Sequence, residues 1–188
     1  MNAQTQFVSE AAQAYRDRLS DLVDQFGLPS TDAHTAGERA ATFTAAGMAW
    51  NDAVGPFLDT DGVRALLGGP TRQAVGDRVR NRRLLALRTA DVGGGTRLVY
   101  PLWQFDGATL TALPRVLTAS GYDPGELTHG WHVAAWLSEP DPGLGGLRAR
   151  DLLATGNVEP VLALAGDVRH ELGVDELMAA RSMVRARA

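Results

Sequence analysis

The chain has 188 residues, a net charge of −4 and no cysteine, so disulfides and cysteine-based metal or nucleophile sites are excluded. At roughly 100–200 residues per domain the length allows one domain or two small ones. No run of about 18 apolar residues exists to span a bilayer, and the opening MNAQTQFVSE does not read as a secretion signal. A cytoplasmic location is the default expectation.

Apolar residues at Phe7, Val8, Ala11, Tyr15, Leu19, Leu22, Val23 and Phe26 recur in steps of three and four. They predict an amphipathic helix over 6–26, stopped by Gly27 and Pro29. An alanine-rich helix follows over 36–50. This N-terminal region, 1–55, is either a helical hairpin packed on the rest or a dimer interface.

The block 56–105 carries the chemistry. Asp59 or Thr60 caps a short helix with Val63, Leu66 and Leu67 inward, and Gly68-Gly69-Pro70 breaks it. Thr71 caps a second helix, TRQAVGDRVRNRR, with Val75 and Val79 on its buried side. Two helices across a tight glycine turn predict a helix-turn-helix. Leu84–Arg88 and Thr96–Tyr100 then predict two strands around a glycine-rich tip, which makes a wing. Residues 106–188 predict short helices at 110–119, 129–137, 149–154, 157–172 and 174–188, with SEPDPGLGG as a rigid turn. The expected fold is mainly α: a winged helix-turn-helix with a small β-hairpin wing, plus a C-terminal helical domain.

The basic residues are all Arg, and they are concentrated. Residues 60–100 hold eight Arg against three Asp, a net +5 within an acidic chain. That distribution predicts a local footprint for double-stranded DNA. Arg72 and Gln73 lie in the first turn of the second helix, where base edges are usually met. Arg78, Arg80, Arg82 and Arg83 at its end, and Arg88 or Arg97 on the wing, suit phosphates. Thr71 completes the predicted DNA-binding set.

Catalytic and cofactor signals are weak. His129 and His132 are two histidines with no converging carboxylate motif, so no metal is expected. Gly93-Gly94-Gly95 lacks the Gly-Lys-Ser/Thr of a phosphate loop, and no Gly-x-Ser-x-Gly elbow is present. Glu139 and Asp141 flank Pro140 in a turn. Trp103, Trp131 and Trp136 sit among apolar neighbours and read as core. No enzyme activity and no cofactor are expected.

LDTDGVRALLGGPTRQAVGDRVRNRRLLALRTADVGGGTRLVYPLWQFDG resembles the DNA-binding half of bacterial antitoxins that carry an Xre/MbcA/ParS-type toxin-binding domain. LLGGPTRQAV is similar to a pattern shared with MerR-like readers. The stretch WHVAAWLSEPDPGLGGLRARDLLATGNVEPVLALAG resembles the toxin-binding half, through Trp136-Leu137, Pro140, Leu144-Gly145-Gly146, Asp151-Leu152-Leu153, Gly156 and Val161-Leu162. Arg148-Ala149 stands where the family often has Thr-Pro. The resemblance implies an antitoxin, a homodimer, that neutralises a RES-type, NAD-consuming toxin and represses its own operon. It implies toxin contacts at Trp136, Leu144 and Leu152, with Arg181 and Arg185 on an occluding tail. The alternatives are a stand-alone transcriptional regulator with a different partner or ligand, and an adaptor that uses the basic helix on an acidic protein.

Overall fold

A computed structural model describes residues 2–27, 32–90 and 95–173. The helix expected over 174–188, with Arg181 and Arg185, lies outside them. The chain is mainly helical with small antiparallel sheets and divides into two compact units, Met1–Gly47 and Met48–Ala188. No helix among the described residues is long and apolar enough to cross a membrane.

In the first unit, α1 spans Ala3–Phe26. The Asn2 side chain caps it by accepting from the Thr5 N–H at 2.8 Å, and Gly27, at φ 84°, ends it. Phe7, Val8, Tyr15 and Leu19, the face the periodicity marks for burial, are exposed. Helix α2, Ala33–Val54, begins in this unit and runs into the second.

In the second unit the order is β1 (Phe57–Leu58), α3 (Thr60–Leu66), α4 (Arg72–Arg80), β2 (Leu87–Ala90) and β3 (Thr96–Pro101). The strands form one antiparallel sheet in the order β1-β3-β2. A 3-10 turn leads to α5 (Gly107–Ala119), and α6 (His129–Ser138) follows. The segment expected as a rigid turn, 138–146, is the turn of a small ribbon that pairs β4 (Pro140–Asp141) with β5 (Leu147–Arg148). Helices α7 (Ala149–Ala154) and α8 (Glu159–Glu171) complete the unit and pack against α5.

Two apolar cores share this unit. Val63, Val75, Val79, Leu84, Ala86 and Tyr100 form the smaller, beneath α3 and α4. The larger includes Leu85, Leu87, Val99, Leu113, Val133 and Leu153. Leu84 to Leu87 are all buried, and their side chains enter the two cores alternately. That is the two-fold periodicity of extended chain, with both faces covered. The larger core draws on residues from both sides of the boundary expected between residues 105 and 106.

Strand pairing was expected from Leu84, but β2 starts at Leu87. The reason is where the backbone groups go. Leu85 N–H donates to the Gln104 side-chain oxygen at 2.9 Å, and Gln104 Nε2 donates to Leu85 O at 3.0 Å. The Tyr122 hydroxyl accepts from Ala86 N–H at 3.2 Å and donates to Ala86 O at 3.0 Å. Side chains take the place of a neighbouring strand. Burial pushes the Tyr122 phenol up to about 12.

Candidate nucleic-acid interface

Local chemistry sets the position of α4. Asp59 caps α3, its carboxylate accepting from Gly62 N–H at 2.8 Å. Gly68 and Gly69 both hold positive φ, 82° and 81°, which lets the chain reverse between the helices in one short turn. The Thr71 hydroxyl accepts from Ala74 N–H at 3.1 Å, so it is the cap of α4. Val75 and Val79 are buried, and Thr71, Arg72, Gln73 and Arg80 are exposed.

The second helix was expected to run to Arg83. It stops at Arg80, because Asn81 closes it and Arg82 turns into the left-handed region at φ 54°. Arg82 N–H bonds Val79 O at 2.9 Å, and Arg83 N–H bonds Arg78 O at 2.7 Å. This is the hydrogen-bond pattern that glycine usually closes. A non-glycine residue there costs on the order of 1–2 kcal/mol. Arg82 is the one non-glycine residue with positive φ among the described residues.

The arginines fall into two groups. Arg72 and Arg64 both bind Asp61, Arg80 binds Asp77, and half-buried Arg88 donates twice to Pro124 O, at 3.1 and 2.8 Å. Arg88 is thus a strut between β2 and the 123–128 segment, which corrects its expected place as a wing contact. Arg78, Arg82, Arg83 and Arg97 have no ion pair among the described residues. Arg83 and Arg97 are exposed, on the loop after α4 and on β3, while Arg78 and Arg82 are half-buried. Two of the three Asp in the net +5 of residues 60–100, Asp61 and Asp77, are thus paired directly with arginines of α3 and α4.

Glycine at Gly76 has no packing reason. A methyl group there meets only Arg80 Nη1, at an ordinary 3.5 Å. Mid-helix glycine costs about 1 kcal/mol relative to alanine. The exposed side of α4 carries this gap between Arg72 and Arg80.

The residues expected to touch a toxin are not brought together as one exposed patch. Leu144 is 8% exposed and packs in the larger core, so it is used internally. Leu152 is half-buried against the same core. Trp136 is half-buried and lines a groove of about 310 Å³ with His132, Glu139, Val168 and Leu172, between α6 and α8. Arg181 and Arg185 lie outside the described residues.

Several apparent sites are structural. His129 is 6% exposed, and its Nδ1 accepts from Asp123 N–H at 3.3 Å. The Asp141 carboxylate accepts from Gly143 N–H at 2.7 Å, holding the ribbon turn. Trp131 packs at 4.5 Å from Trp50, centroid to centroid, and donates from Nε1 to Arg88 O at 2.8 Å. No cluster of three metal-binding side chains occurs among the described residues.

Asp61 could not be recognised as the partner of Arg72 from sequence, because the two are eleven residues apart on different helices. Nor did sequence mark Gln104 and Tyr122, whose partners are 19 and 36 residues away. No family model, curated protein or solved structure matches the chain.

Proposed function

We propose that residues 57–101 form a winged helix-turn-helix that binds double-stranded DNA and acts in transcriptional repression. The observation that supports it most is the exposed face of α4. The helix is capped at Thr71, follows a two-glycine turn, precedes an antiparallel hairpin, and carries arginines at both ends. Gln73 and Arg72 occupy the first turn, where a recognition helix meets bases. Arg78, Arg82 and Arg83 beyond its middle, and Arg97 on β3, supply phosphate contacts. Arg80 is held only by an exposed pair with Asp77, and such pairs contribute little, so a phosphate can take Asp77's place.

The test is an anisotropy titration of the full chain on random duplexes between about 50 and 200 mM salt. Affinity should fall steeply with salt, and Arg83→Ala should lower the slope by about one. In the same titration Gly76→Ala should bind more weakly, because its methyl group intrudes on the duplex, while melting higher by about 1 kcal/mol of stability. Wild-type protein that binds no duplex at low salt would sink the proposal.

The resemblance extends this reading to an antitoxin that also neutralises a RES-type toxin, as a homodimer. Of the residues the resemblance assigns to the toxin contact, half-buried Trp136 lines a groove such a partner could enter. Co-expression with a RES-type toxin reads this out through growth; toxicity left unrelieved would count against it.

A further inference from the structure

Arg72 is engaged in the chain without DNA by a two-point pair that belongs to a network, unlike the single bond of Arg80 to Asp77. Its Nε donates to Asp61 Oδ1 at 3.2 Å, and its Nη2 donates to Asp61 Oδ2. Asp61 is itself held, because Oδ1 also accepts from Arg64 Nη1 at 2.9 Å. Arg64 is fixed in turn, donating from Nε to Pro70 O at 2.8 Å. A chain of contacts thus runs from the turn between the helices, through α3, to the first residue of α4.

The edge that Asp61 takes is informative. A guanidinium presents one pair of donors along Nε and Nη2, and a second pair across Nη1 and Nη2. Asp61 occupies the first pair. The second is left as a planar fork on a side chain that is 70% exposed. Guanine offers O6 and N7 side by side in the major groove, the acceptor pair that such a fork fits.

We propose that Asp61 is a specificity-determining positioning residue that aims Arg72 at a guanine, which rests on the DNA-binding reading above. The two arginines hold the Asp61 carboxyl below its usual range, Arg72 contributing most. The rival role is a mask, in which Asp61 merely competes with DNA for Arg72. The two roles make opposite predictions about base preference.

The experiment begins by selecting preferred sites for the full chain from randomised duplexes. Affinity is then measured for the best site, and for versions in which each guanine in turn becomes adenine or 7-deazaguanine, which lacks the N7 acceptor. Wild type should lose roughly 10- to 100-fold at one guanine, the scale of a bidentate contact. Asp61→Ala should keep overall duplex affinity, having lost a negative charge, yet shrink that discrimination about tenfold. Arg72→Ala should lose the same discrimination, and the double variant should lose no more, because the two act through one contact. Asp61→Asn, which keeps an acceptor, should fall between, and guards against a folding effect in the alanine variant. Tighter binding of Asp61→Ala to every duplex with discrimination intact establishes the mask and overturns the proposal. Additive losses in the double variant overturn it as well. A wild-type chain that binds no duplex is a different result, which removes the DNA-binding reading itself.

Discussion

Gln104→Leu should lower the unfolding free energy by about 2–6 kcal/mol, although leucine is similar in size and apolar. Gln104 is fully buried. Its amide serves both backbone groups of Leu85 and also donates to Pro101 O at 3.1 Å. Leucine leaves the Leu85 N–H and C=O without these partners in a dry interior, and each such orphan costs about 1–3 kcal/mol. Urea unfolding monitored by tryptophan fluorescence measures it, with the midpoint falling and the slope unchanged. A variant as stable as wild type would mean that the Leu85 backbone finds other partners.

Gly130→Ala should be comparably damaging, at about 3 kcal/mol or more. A methyl group at Gly130 lands 2.3 Å from Ala86 O and 3.2 Å from Leu87 Cα. Both are backbone atoms, so no side chain can swing aside. The first turn of α6 must move away from the 84–87 segment, which strains the Trp131 bond to Arg88 O and the packing of Val133. Overpacking of a dense core usually costs about 1–3 kcal/mol, and contact with backbone puts this case at the upper end. Alanine would favour the helix by about 1 kcal/mol at an open position, so the sign of the change is diagnostic. Stabilisation in a thermal melt would refute the close approach.

Only part of this fold was legible in the sequence. Helix α4 could be read locally: a Thr cap, two valines four apart and a two-glycine turn lie within about a dozen residues. Those features fix the helix without reference to the rest of the chain. The start of β2 could not be read that way. Leu84 to Leu87 carry the apolar run of a strand, but side chains 19 and 36 residues on satisfy Leu85 and Ala86. Leu144 illustrates a different limit. A leucine between glycines suggests a surface loop, yet the short ribbon of β4 and β5 folds it into the core. In the candidate interface, residue types were readable and partnerships were not. Arg72 and Arg80 look free in one dimension, and the packing of α3 on α4 brings Asp61 to the first of them.

The alternation of Leu84 to Leu87 between two cores bears on how this protein can change over time. Deleting or inserting one residue there would send each core's side chains into the other, so the segment tolerates substitution far better than a shift of register. Helix α4 cannot be exchanged as a cassette, because Leu84 and Ala86 form part of its floor while Leu85 and Leu87, between and beside them, pack with the C-terminal helices. A ligand bound on either side stabilises both by mass action.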